Sequence, residues 1–82
     1  MEQRIATVLI LIEDREKVAL LNKIISEYAE VIIGRQGIRL SDRNKSIISL
    51  VIEGNTNEIG GLSGKLGRIS GINVKSVVLK TN

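Results

Sequence analysis

The chain has 82 residues, enough for one domain with one modest core, and a net charge of +3 that permits an acidic partner without requiring one. It contains no Cys and no His, which excludes a disulfide framework, a thiolate metal site and the commonest general base. Its hydrophobic share, 43%, is supplied almost wholly by Ile, Leu and Val, with Tyr28 the single aromatic residue.

Arg4 to Ile12, RIATVLILI, is β-branched and too short for a confident helix, so it reads as a strand. Its two faces, Ala6, Val8, Ile10, Ile12 and Ile5, Thr7, Leu9, Leu11, are both largely apolar, as in a central strand. Asp14 is the expected N-cap of a following helix, whose buried stripe is Val18, Leu21, Ile25 and Tyr28 with Ala29 beside it. Val31 to Leu40 reads as a second strand, in which Gly34 and Gly37 mark a bulge or a close backbone approach. Ser41 to Lys45 is a polar turn, and Ser46 to Glu53 a third strand, apolar on both faces apart from Ser49.

Gly54 to Asn57 breaks the chain and offers Asn55 or Thr56 as the cap of a second helix. Ile59, Leu62, Leu66 and Ile69 fall in one helical stripe, while Gly60, Gly61, Gly64 and Gly67 lie off it. Each glycine in a helix interior costs about 1 kcal/mol relative to alanine, so close packing against a partner or a strand is expected to offset them. Gly71 is the expected C′ stop, followed by a fourth strand from Ile72 to Lys80.

The order β-α-β-β-α-β, without a linker, predicts one domain over residues 1–82. Its fold class is α+β, a ferredoxin-like sandwich whose four-stranded antiparallel sheet carries both helices on one face. The other face would be bare in a monomer and would present Thr7, Leu9, Leu11, Ile47, Ser49, Val51, Val77 and Leu79. An apolar patch of this kind marks an interface, so a homo-oligomer, dimer or tetramer, is expected, with sheets packed face to face or edge strands paired.

No catalytic group stands out. Ser63 and Lys65 are two apart and would point to different sides of a helix, and Glu13 with Asp14 is ordinary capping chemistry. No metal site and no cofactor is expected. The residues that could touch a small ligand are Glu13, Asp14 and Arg15 in the first loop, the glycine-flanked Gly34, Arg35 and Gly37, and Gly60 and Gly61 of the second helix. A basic cluster, Arg35, Arg39, Arg43 and Lys45, surrounds the second hairpin and could contact phosphates or serve only as solvated edge-strand charges. It makes weak nucleic-acid binding the alternative reading. Against that, no predicted strand carries an aromatic for base stacking and neither helix is basic. No apolar run approaches the ~18 residues of a membrane span and the N-terminus lacks a signal-peptide layout, so the expected setting is cytoplasmic, with no membrane partner.

Three stretches, GRQGI at Gly34 to Ile38, IISLVIEG at Ile47 to Gly54 and NEIGGLSGKLGRISGINVKSV at Asn57 to Val77, together resemble a small bacterial family assigned to regulation of the iron-only hydrogenase system. The resemblance runs over nearly the whole chain. It implies likeness to ACT regulatory domains and to the tetramer-forming C-terminal domain of the nickel repressor NikR, hence a transcriptional regulator with a ferredoxin-like fold. Nickel sensing does not transfer, because the repressor's His and Cys ligands have no counterparts here. The family's second strand tends to read GRMGIP, where this chain has Gln36 and Arg39. The first turn, Glu13-Asp14-Arg15, lacks the glycine near which ACT domains bind amino acids. The resulting expectation is a non-enzymatic regulatory module that self-associates. It would act through a protein partner or a ligand held between subunits, near the first loop and the N-terminus of the second helix.

Overall fold

The computed structural model describes residues 2–42 and 44–79. Strand β1 (Arg4–Ile12) occupies the bounds that its β-branched run sets, and both its neighbours are antiparallel. It pairs along its whole length with β3 (Ser46–Gly54) and on its other side with β4 (Ile72–Val78). Strand β2 (Ile32–Arg39) joins the outer edge of β3, giving the order β2-β3-β1-β4. Helices α1 (Val18–Glu27) and α2 (Thr56–Gly67) connect the strands, and a single 3-10 turn, Arg15–Lys17, leads into α1. The fold is the α+β, ferredoxin-like arrangement that the element order implies.

Period-2 alternation decides where the core lies. Ala6, Val8, Ile10 and Ile12 of β1 and Ile48, Leu50 and Ile52 of β3 are buried on one side of the sheet. They form one cluster with Leu21 and Ile25 of α1, with Ile59, Leu62 and Leu66 of α2, and with Ile69 just beyond it. Both helices therefore lie on that side. Among the described residues no polar or charged residue belongs to the buried core, which is aliphatic throughout, although the Ser63 Oγ of α2 is buried without a hydrogen-bond partner.

The start of α2 follows its expected capping residue, whereas Asp14 caps the 3-10 turn and α1 itself begins after Lys17 with no side-chain cap. The Asp14 carboxylate accepts the Glu16 N–H at 3.0 Å and opens the 3-10 turn. Asn55 forms a capping box with Glu58, its side-chain oxygen accepting the Glu58 N–H at 2.8 Å while the Glu58 carboxylate accepts the Asn55 N–H at 2.9 Å.

The end of α2 differs from expectation. The helix stops at Gly67, with Arg68 as its C-cap, and Gly71 lies beyond it in the turn to β4. Ile69 extends the apolar stripe past the helix because its N–H turns back to the Leu66 carbonyl at 3.1 Å, keeping its side chain buried. Gly71 has φ +81° and ties two turns together, its carbonyl accepting the N–H groups of Glu13 (2.9 Å) and Asp14 (3.1 Å). A Cβ at Gly71 would stand 2.6 Å from the Asp14 Cβ.

The two glycines of β2 also part company. The register shifts between Ile32 and Gly34, so Gly34 does flank a bulge, centred on Ile33. Gly37 sits in a regular ladder opposite Ile48, and a Cβ there would meet nothing within 4 Å. The bulge expectation fails at that position.

Of the α2 glycines, only Gly61 faces a neighbour, where a Cβ would come 2.8 Å from the Tyr28 hydroxyl. Lys65, one turn on, places its Nζ 5.1 Å from the centre of the Tyr28 ring and 3.6 Å from Glu27. Hydrogen bonding to Tyr28, and then the charges of Tyr28 and Glu27, hold the Lys65 ammonium above its ordinary pKa. A Cβ at Gly60, Gly64 or Gly67 would meet nothing within 4 Å, so strand packing does not offset these three. Gly60→Ala with Gly64→Ala is expected to raise the unfolding free energy by about 1.5–2 kcal/mol in urea titrations, the difference in helix propensity alone. A loss of stability would show that these positions are covered.

Candidate functional site: the open sheet face

The side of the sheet away from the helices has no covering layer among the described residues. Register places Thr7 beside Val51 and Val77, Leu9 beside Ser49 and Lys75, and Leu11 beside Ile47 and Asn73. All eight residues expected on an interface, Thr7, Leu9, Leu11, Ile47, Ser49, Val51, Val77 and Leu79, share this face. Ile5 and Ile38 belong to it as well; Ile38 escaped notice because only its pairing with Ile47 shows which way it points. Leu9 is 48% exposed, Val77 58% and Leu79 56%, an unusual degree for aliphatic side chains of a sheet.

The polar members of the face are subdued. The Thr7 hydroxyl donates to the Leu50 carbonyl at 3.0 Å, a bond made within the sheet, so an apolar partner would leave it satisfied. The charged members given by the register are one anion, Glu53, and one cation, Lys75. Two shallow grooves cross the face. One, of about 220 Å³, is lined by Ile5, Ala6, Thr7, Val51, Val77 and Leu79. The other, of about 240 Å³, is lined by Leu9, Leu11, Ile47, Asn73 and Lys75.

The expected ligand residues are not brought together. Glu13, Asp14 and Arg15 follow Ile12, which pairs with Ser46 and Ile72 at one end of the sheet. Helix α2 begins just after Gly54, which pairs with Arg4 at the opposite end. Eight strand steps of about 3.3 Å put roughly 26 Å between the two ends. Gly60 and Gly61 lie four and five residues into α2, about 7 Å back along the helix, so most of that separation remains between them and the first loop of the same chain. Gly34 lies against Val51 toward the α2 end, and Gly37 lies mid-strand. Arg35 donates to Asn22 Oδ1 at 2.8 Å, which ties it to α1. The basic hairpin also divides: Arg39 and Lys45 line one pocket with Arg15, Arg35 lies elsewhere, and Arg43 falls outside the described residues. Among the described residues no group of three or more acidic, His or Cys side chains could hold a metal ion, and no helix is long and apolar enough to cross a membrane.

A small two-layer sandwich with one aliphatic sheet face left open is the frame into which the comparisons with known proteins fit. Residues 4–76 match the model of the TM1266-like family, described as "Iron-only hydrogenase system regulator, putative", and the chain belongs to that family. The solved structure of the uncharacterized protein TM1266 from Thermotoga maritima is similar at 42% identity and a TM-score of 0.88, with 96% of this chain and 100% of that one covered. The C-terminal domain of the MgtC protein from Mycobacterium tuberculosis shares the fold at 10% identity and a TM-score of 0.72, over 92% of this chain and 86% of that one. No curated protein matches the sequence.

Proposed function

We propose that the protein is a non-enzymatic regulatory module of the iron-only hydrogenase system that works as a homo-oligomer, with a second copy of the chain covering the open sheet face. The observation that carries this reading is the aliphatic face itself, spread over all four strands on the side the helices do not cover. Four strands about 4.8 Å apart and strands about 25 Å long give roughly 500 Å² of plan area per copy. Two copies would bury roughly 1,000 Å² or more, which reaches the size of a specific interface. The charges suit a second copy too. A two-fold contact between identical faces can set Glu53 of each copy toward Lys75 of the other. Family membership supports the regulatory role. No tuned nucleophile or base supports catalysis, and an assembly of this kind would act on a partner protein or respond to a ligand in the cytoplasm.

The test is genetic. Cells whose only copy carries Leu9→Asp are expected to lose hydrogenase regulation as fully as cells lacking the gene, while the variant still folds. A variant that is monomeric in those cells yet regulates normally would overturn the reading.

A further inference from the structure

We propose that the pocket where Arg15, Arg39 and Lys45 meet binds a small phosphorylated ligand. The pocket has a volume of about 160 Å³ and is completed by Val18, Asn44 and Ser46. Its cations come from three segments, the 3-10 turn before α1, the last residue of β2 and the residue before β3. Arg39 pairs with Ser46, which pairs in turn with the buried Ile12, so the pocket lies on the helix side of the sheet. Self-association through the open face would leave it accessible, and the proposal stands apart from that reading.

Three like charges around one cavity repel one another unless an anion joins them. None of the three forms an ion pair within 4.0 Å with a carboxylate among the described residues. Of the acids close by in sequence, Asp14 accepts the Glu16 N–H at 3.0 Å and Asp42 accepts the Asn44 N–H at 3.1 Å, while Glu13 and Glu16 lie within 4.0 Å of none of the three cations. Protection of an exposed edge strand accounts for Arg39. It does not account for Arg15, which reaches the same cavity from the helix layer.

The lining supplies donors in the form a phosphoryl group takes. Two guanidinium groups can bind oxygen pairs in fork geometry, Lys45 adds a point charge, and the Asn44 amide and Ser46 hydroxyl can donate to further oxygens. A phosphate monoester carries about −1.5 to −2 at neutral pH, close to what three cations can compensate. The volume sets the ligand's size, being well below the ~300 Å³ at which pockets for drug-sized molecules begin. One phosphoryl group with a small body fits. A polynucleotide would need cations continued along the surface, whereas Arg35, the next cation on this side of β2, is held by Asn22 at 2.8 Å.

The experiment is a titration of the full chain with inorganic phosphate and with glycerol phosphate at constant ionic strength, followed by amide NMR shifts. Saturable shifts are expected at Arg15, Arg39, Asn44 and Lys45. Arg39→Gln with Lys45→Gln should weaken both ligands at least about tenfold. Lys23→Gln with Arg68→Gln, an equal loss of charge elsewhere, should change affinity by less than about twofold. Absence of saturable shifts, or equal weakening by the two pairs, would overturn the site. A short DNA or RNA duplex bound more than about tenfold tighter than glycerol phosphate, and released by the Arg39 and Lys45 changes, would overturn the small-ligand assignment in favour of a polynucleotide.

Discussion

Gly71→Ala is expected to lower the unfolding free energy by about 2–4 kcal/mol, a large share of the 5–15 kcal/mol typical of a domain. Two costs combine. At φ +81° an L side chain is strained, at about 1 kcal/mol or more. The added Cβ would also overlap the Asp14 Cβ at 2.6 Å, an encounter with atoms next to the backbone that no rotamer change can relieve. The turns would have to separate, straining the two hydrogen bonds from Glu13 and Asp14 to the Gly71 carbonyl. Gly71→Asn separates the costs, since asparagine tolerates positive φ but still carries the Cβ. Urea titration should show the alanine variant least stable, asparagine next, with an unchanged m-value. An alanine variant within about 0.5 kcal/mol of the parent would mean that the contact between the turns is misplaced.

Leu9→Asp is expected to break the assembly while sparing the fold. Leu9 is 48% exposed in the single chain, so the substitution should cost the isolated domain about 1 kcal/mol or less. In a face-to-face pair the same position lies mid-sheet, and a two-fold axis would bury a new carboxylate in each copy; Lys75, opposite position 9, is the one cation of the face, so pairing with it would leave Glu53 unpaired. The dissociation constant should rise at least about 100-fold, equivalent to about 2.7 kcal/mol. Circular dichroism should keep its native shape. Leu20→Asp is the control, because Leu20 is similarly exposed, at 46%, but belongs to α1 on the other side of the sheet. If the Leu20 change dissociates the protein and the Leu9 change does not, the helix layer is the contact surface.

The fold was legible because its signals are local. The β-branched run from Arg4 to Ile12, the Asp14 and Asn55 caps and the stripe Ile59, Leu62, Leu66 each fix an element without reference to the rest of the chain. The open face was legible for a related reason: period-2 alternation in two central strands assigns their residues to sides before any partner is known. The end of α2 was not. Ile69 continues the apolar period after the hydrogen-bond ladder has closed, so periodicity alone extends the helix toward Gly71. How the expected ligand residues are spread over one chain was not legible for want of topology. Glu13 to Arg15 and the α2 glycines Gly60 and Gly61 look equally suited to a ligand, and only the β1–β3 register shows that the first loop and the start of α2 lie at opposite ends of the sheet. The meeting of Arg15 with Arg39 and Lys45 was hidden in the same way, since it depends on how the second hairpin lies against the turn before α1.

The proposed assembly makes the single chain one part of a larger particle. Sedimentation velocity of the unmodified protein at micromolar concentration addresses this most directly. Particles of at least twice the 9.0 kDa chain mass are expected, whereas a homogeneous 9.0 kDa species would show that the open face does not pair.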